Sequence, residues 1–112
     1  MARSKFLPGR CAQALTATMR PDLFRALCDP VRISMVATLA SRNAPATVSE
    51  LADCCGIDFS GVSRHLKILK DAGVLSATRD GRKVLYALDA IVLATSLRAI
   101  AEALELCQQQ AG

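Results

Sequence analysis

Five cysteines are the residues most able to do chemistry in this sequence of 112 residues. Two of them, Cys54 and Cys55, are adjacent, and Cys11 lies close to the N-terminus. Thiolates select soft ions over hard cations such as Mg²⁺ and Ca²⁺, so As(III), Sb(III) and Hg(II) are the natural candidates. A trivalent metalloid takes three thiolates, so Cys54 and Cys55 with one more cysteine would suffice. We expect Cys11 to be this third ligand, and no organic cofactor is expected.

The other two cysteines, Cys28 and Cys107, fall on apolar helical stretches. Cysteine is among the most frequently buried residue types, so these two are expected to be core or interface residues. The same explanation fails for Cys54 and Cys55, because neighbours on a helix point about 100° apart and cannot both face a core. A chelating pair would need a frayed helix end, which Gly56 could provide.

Composition indicates one small folded domain, since 52% of the residues are apolar and 21% are charged. This is too apolar for disorder, and no stretch approaches the ~18 uninterrupted apolar residues of a membrane span. The N-terminal segment lacks the apolar body of a secretory signal. An odd number of cysteines without such a signal favours reduced thiols, so we expect a cytoplasmic protein with no membrane partner.

Two short helices are predicted around the cysteine pair. Residues 47–50 have the Thr-x-x-Glu form of a capping box, and the helix that they start ends near Gly56. Asp58 or Ser60 caps the next helix, which closes at Gly73. The expected core face of this second helix consists of Val62, Leu66 and Leu69. Two short helices joined by a tight glycine turn form a helix-turn-helix.

Further elements flank this pair of helices. Residues 12–19 could form a first helix, and Asp29 caps a helix that starts at Pro30. One apolar face of that helix is formed by Ile33, Val36, Ala37 and Ala40. Residues 74–79 and 82–88 flank Asp80-Gly81, which favours the two-residue turn of a β-hairpin. Asp89 caps a last helix of about 18 residues. The apolar stripe of this last helix is Leu93, Leu97, Ile100 and Leu104.

The second helix of the pair and the hairpin form a basic block, since residues 59–83 hold six basic residues against two acidic ones. A helix with one apolar face and an outer face of Ser, Gly, Arg and Lys is typical of a reader of the major groove of double-stranded DNA. Its leading turn would point N–H groups at a phosphate, and the hairpin tip would neutralise neighbouring phosphates. The predicted DNA-binding residues are Ser60, Gly61, Ser63, Arg64, His65, Lys67, Arg79, Arg82 and Lys83.

Three blocks of sequence closely resemble the ArsR (arsenic-repressor) type of regulators: residues 23–32, residues 63–75 and residues 81–86. The resemblance implies a mainly α fold with a β-hairpin wing, a winged helix-turn-helix that forms a homodimer through its first and last helices. It also implies a repressor that binds operator DNA and leaves it when a thiophilic metal or metalloid binds. The expected organisation is an N-terminal arm over 1–11, a DNA-binding and dimerisation domain over 12–108 and a C-terminal tail over 109–112.

The usual metal sites of the family are not expected in this chain. The positions that match its common cysteine site hold Thr47, Ser49 and Ala52. Another family site uses Asp and His residues of the last helix, whereas the only histidine of this sequence is His65, on the helix predicted to read DNA. Cys11 is then expected to be brought to the cysteine pair by the N-terminal arm, as arms do in some relatives, with the second subunit as its possible source.

A second interpretation keeps the fold and changes the chemistry. Relatives also include persulfide or redox sensors, which join a cysteine of an early helix to one at the end of the last helix. Cys28 and Cys107 fit that pattern, so a thiol redox or persulfide-sensing repressor is the alternative. An enzyme is not expected, because the sequence has no phosphate-binding glycine-rich loop and no paired carboxylates with a shared pocket.

Overall fold

The computed structural model describes residues 9–111. Over this range the helices and strands follow the order α1, Arg10–Thr18; α2, Pro21–Leu27; α3, Pro30–Arg42; α4, Val48–Cys55; α5, Phe59–Asp71; β1, Leu75–Asp80; β2, Lys83–Leu88; and α6, Ala90–Ala111. The predicted mainly α architecture with a two-stranded hairpin is confirmed. Most of the predicted N-terminal arm lies outside the described residues, and its last two residues, Arg10 and Cys11, begin α1.

The described residues form two compact units. One comprises residues 21–93, and the other comprises the described residues before Pro21 together with those from Ala94 onward. The division into arm, domain and tail stays a prediction.

Capping residues fix the ends of the helices of the 21–93 unit. Asp29 accepts hydrogen bonds from the backbone N–H groups of Val31 and Arg32, with Pro30 at the first helical position. Thr47 and Glu50 form both halves of a capping box at the start of α4. Gly56, with φ +68°, ends α4 in the left-handed conformation that glycine adopts at least cost. The predicted caps of α3 and α4 are therefore confirmed.

The core of the 21–93 unit is built from one apolar face of each helix. The buried residues are Leu23 and Ala26 of α2, Met35 and Leu39 of α3, Leu51 and Ala52 of α4, and Val62, Leu66 and Leu69 of α5. The predicted core face of α5 is confirmed. The predicted apolar face of α3 is wrong: Ile33 is 53% exposed, and Arg32 is buried one position earlier. The buried face turns toward Arg32 because backbone carbonyls accept hydrogen bonds from its guanidinium.

The hairpin is antiparallel, and Asp80 pairs with Lys83. Its two-residue turn is therefore Gly81-Arg82 and not the predicted Asp80-Gly81. Gly81 has φ +64°, and glycine at the first turn position is the pattern of a type II′ turn. This one-residue correction places Arg82 at the tip of the hairpin.

The loop before α4 also pairs with the hairpin, which the sequence did not indicate. Ala46 and Tyr86 form an isolated antiparallel bridge. The N–H of Ala46 donates to the carbonyl of Tyr86 at 2.9 Å, and the N–H of Tyr86 donates back at 2.8 Å. The segment predicted as a simple loop therefore pairs with β2 at one position.

Helix α6 is 22 residues long, four more than expected. On its predicted apolar stripe Ile100 is buried, whereas Leu97 and Leu104 are 42% and 47% exposed. Within residues 9–111, no helix combines the length and the apolar character needed to cross a bilayer.

Candidate thiol site and nucleic-acid interface

The last turn of α4 carries Cys54 and Cys55, and their thiols are neighbours. The hydroxyl oxygen of Thr38 lies 3.1 Å from the sulfur of Cys54, and Ser34 is a polar neighbour of the Cys55 thiol. Ser34 and Thr38 are four residues apart on α3, so their side chains share one face of that helix. Both thiols therefore converge on the hydroxyl-bearing face of α3.

This convergence does not need the frayed helix end that the sequence suggested. Cys55 is the last residue of α4, and the N–H of Gly56 still donates to the carbonyl of Ala52 at 2.8 Å. The two thiols meet because the second polar partner of each lies on α3. Ser34 and Thr38 are partners that the sequence analysis missed, although their spacing of four residues is the signal that could have found them.

The protonation of Cys55 is affected by its surroundings. Burial raises the pKa of the Cys55 thiol, and the neighbouring Cys54 raises it further, while the hydrogen bond from Ser34 works in the opposite direction. A thiol with a raised pKa is mostly protonated at neutral pH. The Cys55 thiol therefore carries a proton that a soft ion must displace on binding.

Cys11 has a different neighbour in the structure. It lies in the first turn of α1, half-buried, with Cys107 of α6 as a neighbouring thiol. This neighbour and burial raise the pKa of Cys107. Within residues 9–111 no three His, Cys, Asp or Glu side chains are grouped so that they could hold a metal ion. The three-thiolate set of Cys11, Cys54 and Cys55 stays a prediction.

Cys28 is exposed, and its thiol donates to the carbonyl oxygen of Arg25 at 3.0 Å. Cys28 is therefore not a core residue of the single chain, and its expected position at an interface stays a prediction. In the structure the thiol of Cys28 contacts the carbonyl oxygen of Arg25, and the neighbour of the Cys107 thiol is Cys11. The redox pair of Cys28 and Cys107 also stays a prediction.

Helix α5 presents most of the predicted DNA-binding residues to solvent. Ser60, Ser63, Arg64 and Lys67 are exposed, whereas Gly61 and His65 are half-buried. The Nζ of Lys67 lies 3.0 Å from a carboxylate oxygen of Asp71 one turn later. An exposed pair of this kind is weak, so it leaves Lys67 free to exchange Asp71 for a phosphate. Phe59, which the sequence analysis left out, is 59% exposed at the start of the helix.

The leading turn of α5 is organised by Asp58. Its carboxylate accepts from the N–H of Gly61 at 2.9 Å and from the hydroxyl of Ser60 at 3.1 Å. These hydrogen bonds lower the pKa of Asp58, so the carboxylate is ionised at neutral pH. A Cβ on Gly61 would lie 2.8 Å from the carboxylate oxygen. The glycine therefore leaves space for the capping carboxylate of Asp58. The negative charge of this carboxylate opposes the expected donation of N–H groups from this turn to a phosphate.

His65 is tied to the helix behind it. The Nη1 of Arg32 lies 3.0 Å from the Nδ1 of His65. A guanidinium can only donate, so Nδ1 accepts and the ring proton is on Nε2. Arg32 also donates to the carbonyl oxygens of Ala26 at 2.7 Å and Arg25 at 3.0 Å. His65 thus connects the outer surface of α5 to the junction of α2 and α3, a role that the sequence did not assign to Arg32.

The hairpin carries the remaining predicted residues. Arg79, Arg82 and Lys83 are all exposed, with Arg82 in the turn and Lys83 opposite Asp80. Three cations with few local partners form a surface suited to a phosphate backbone. Their assignment to DNA binding stays a prediction, as it does for the residues of α5.

Comparison with known proteins adds independent support for the family. Residues 27–76 match a family model described as a helix-turn-helix domain. The HTH-type transcriptional repressor SmtB of Mycobacterium tuberculosis is 49% identical over 67 residues, which are 60% of this chain and 48% of SmtB. The chain therefore spans about half the length of that relative.

Two further matches cover most of both partners. A probable mercury resistance operon repressor of Streptomyces lividans is 35% identical over 121 residues, covering 98% of this chain and 95% of the relative. The crystal structure of an ArsR family transcriptional regulator superimposes with a TM-score of 0.66 at 30% identity, covering 78% of this chain and 93% of that one. With α4 and α5 as the helix-turn-helix and β1 and β2 as the wing, this chain belongs to the ArsR family of winged helix-turn-helix transcriptional regulators.

Proposed function

We propose that this protein is a repressor that binds double-stranded operator DNA as a homodimer and releases it when a thiophilic ion binds Cys54, Cys55 and Cys11. As(III) and Sb(III) are the favoured inducers, and Hg(II) is the next. The thiols would be kept reduced in the cytoplasm. The protein is proposed to act by binding alone, with no catalytic step.

The observation that carries this proposal is the convergence of the thiols of Cys54 and Cys55 against α3. Two neighbouring thiols on one helix turn need less ordering to chelate one soft ion than two distant thiols would. The Streptomyces relative is named for mercury resistance, which supports a thiophilic inducer. As(III) and Sb(III) are preferred here because a third cysteine, Cys11, completes the three-thiolate set that a trivalent metalloid takes.

The position of the pair explains how ion binding could reach the DNA. Only Gly56, Ile57 and Asp58 separate Cys55 from the first residue of α5. Asp58 at the end of this link caps α5, so a shift of the end of α4 changes the start of the recognition helix. A ligand needs to favour the DNA-free arrangement by only about 1–3 kcal/mol to release an operator.

DNA binding is supported by the exposed surface of α5 and the wing. α5 would enter the major groove with Ser63, Arg64 and Lys67, while Arg79, Arg82 and Lys83 lie along the adjacent backbone or minor groove. The homodimer is supported by apolar residues that α6 leaves to solvent: Ile91, Val92, Leu97, Leu104 and Leu106. A second copy of the chain would cover such a surface.

Fluorescence anisotropy with labelled duplex from the region upstream of its own gene tests the proposal. We expect tight, strongly salt-dependent binding that is reversed by stoichiometric sodium arsenite or antimonyl tartrate, with HgCl₂ as a third probe. A phosphine must serve as reductant, because dithiols compete for As(III). Cys54→Ser and Cys55→Ser should bind the duplex normally and no longer respond.

Cys28→Ser is the matched control, since its thiol is exposed and donates to a backbone carbonyl. It should respond like the unmodified protein. Absence of duplex binding at low salt would contradict the repressor itself. A normal arsenite response in the double variant Cys54→Ser/Cys55→Ser would contradict the assigned site, and loss of the response only in Cys28→Ser or Cys107→Ser would favour the redox alternative.

A further inference from the structure

Phe59 is an apolar side chain at the leading end of the solvent-facing side of α5. It is the first residue of the helix and is 59% exposed. At this end of the helix Ile57, two positions earlier, already packs against the buried core. Burial in the core of the 21–93 unit therefore does not account for an aromatic residue at position 59.

The neighbours of Phe59 on the helix surface are residues predicted to contact DNA. Ser63 and Lys67 follow at intervals of four positions, so the three side chains lie on successive turns of one side of α5, and all three are exposed. A single exposed apolar residue needs no explanation by itself. This one extends a polar and basic surface into the turn with which recognition helices contact base edges.

The polar groups of this leading turn are already used by the cap. The hydroxyl of Ser60 and the N–H of Gly61 both donate to the carboxylate of Asp58, at 3.1 Å and 2.9 Å. The carboxylate also places a negative charge where a phosphate would have to approach. The leading turn is therefore better suited to meet a base edge with the phenyl ring than to meet a phosphate with its N–H groups.

We propose that Phe59 is a specificity-determining residue that packs its ring against the 5-methyl group of a thymine in the major groove. This contact rests on the proposed function, because it requires that α5 reads operator DNA. The thymine methyl is the apolar group that base pairs present in the major groove, and apolar side chains such as Phe contact it. Arg and Lys side chains favour guanine. Phe59 thus adds an A·T pair to the bases that α5 distinguishes.

The size of the effect follows from the methyl group that the ring covers. Loss of one buried methyl group should lower the affinity about fourfold. A two-fold homodimer contacts one such methyl group in each half-site, so loss of both should lower the affinity about fifteenfold if the two contacts are independent. The salt dependence of binding should not change, because the ring neutralises no phosphate.

Fluorescence anisotropy with the full chain tests this contact. The probe is the duplex from the region upstream of its own gene, made once with thymine and once with uracil, which lacks the 5-methyl group, at every thymine position. The unmodified protein should bind the uracil duplex about fifteenfold more weakly. Phe59→Ala should show a preference for thymine that is smaller by this factor, with an unchanged salt slope. Phe59→Leu should keep part of the preference, because leucine is also apolar.

Ile68→Ala is the matched control. Ile68 is an apolar residue of the same helix, 39% exposed, and it lies nine positions later and thus on the opposite side of α5. This variant should keep the full preference for thymine, and circular dichroism should show that it and Phe59→Ala are folded.

Two results would overturn the thymine contact and leave the repressor standing. One is equal affinity of the unmodified protein for the two duplexes, and the other is the same preference in Phe59→Ala as in the unmodified protein. Binding to neither duplex at low salt would overturn the proposed function and the contact with it.

Discussion

The guanidinium of Arg32 lies beneath the recognition helix, and its replacement tests how much this polar contact contributes to stability. The side chain is 9% exposed. It donates to the carbonyl oxygens of Ala26 and Arg25 and to the ring of His65. Arg32→Met keeps much of the aliphatic stem and removes all three hydrogen bonds.

The expected loss follows from the three contacts. The bond to the buried carbonyl of Ala26 has a charged donor, and such a bond contributes about 1.5–3 kcal/mol. The bonds to Arg25 and His65 are part-buried, and we assign each about 0.5–1 kcal/mol. Since the methionine regains some apolar packing, we expect the free energy of unfolding to fall by about 3 kcal/mol.

Urea denaturation followed by circular dichroism measures this loss, at one fixed protein concentration because dimer formation would make stability concentration-dependent. The matched control is Arg42→Met on the same helix. The side chain of Arg42 is 37% exposed and makes one ion pair, with Glu50 at 3.2 Å. Exposed pairs of this kind contribute less than about 1 kcal/mol.

Two results would refute the reasoning. A loss below about 1 kcal/mol for Arg32→Met would mean that water replaces the guanidinium at little cost. Equal losses in the two variants would mean that burial does not distinguish Arg32 from Arg42.

Four further measurements address other parts of the molecule. Thr47→Ala should lower the free energy of unfolding by about 1 kcal/mol in urea denaturation, because the capping box of α4 is lost; no change would show that water caps this helix equally well. Gly56→Ala should cost about 1 kcal/mol at φ +68°, and Gly56→Asn clearly less, since Asn tolerates this conformation; equal costs would contradict the backbone argument. Arg82→Ala should reduce the salt slope of duplex binding by about one unit, whereas Arg98→Ala on α6 should not. The rate of arsenite binding in stopped flow should rise about tenfold per pH unit below the raised pKa of Cys55, because the thiolate is the attacking species. The equilibrium affinity for arsenite should stay nearly constant with pH, since the thiol protons leave with the arsenite hydroxyls as water. A pH-independent rate would count against this step.

Local signals predicted much of the fold. The capping box at Thr47, the glycine at position 56 and the apolar spacing of α5 each depend on residues close in sequence, and the structure confirms them. The face of α3 was predicted wrongly because apolar residues occur on more than one side of this helix. The buried face consists of Arg32, Met35 and Leu39, and the guanidinium of Arg32 has its carbonyl partners on α2.

The candidate site was harder to predict for the same reason. The sequence indicated Cys54 and Cys55 as candidate metal ligands, but their hydroxyl neighbours Ser34 and Thr38 are 16 or more positions away in the sequence. Cys11 and Cys107 are neighbours although nearly the whole chain separates them. Such contacts are produced by tertiary packing, which residue spacing along one helix does not report.

The bridge between Ala46 and Tyr86 has a mechanical consequence for α4. Its two backbone hydrogen bonds join the hairpin to the segment immediately before α4, while the other end of the helix leads through three residues into α5. A movement of the wing would therefore also move the start of α4. When an ion binds Cys54 and Cys55, it acts on a helix whose N-terminal end is held by the hairpin. Because the N-terminal end of α4 is attached to the wing, a displacement of its C-terminal end tilts the helix instead of translating it. This tilt is passed through residues 56–58 to α5.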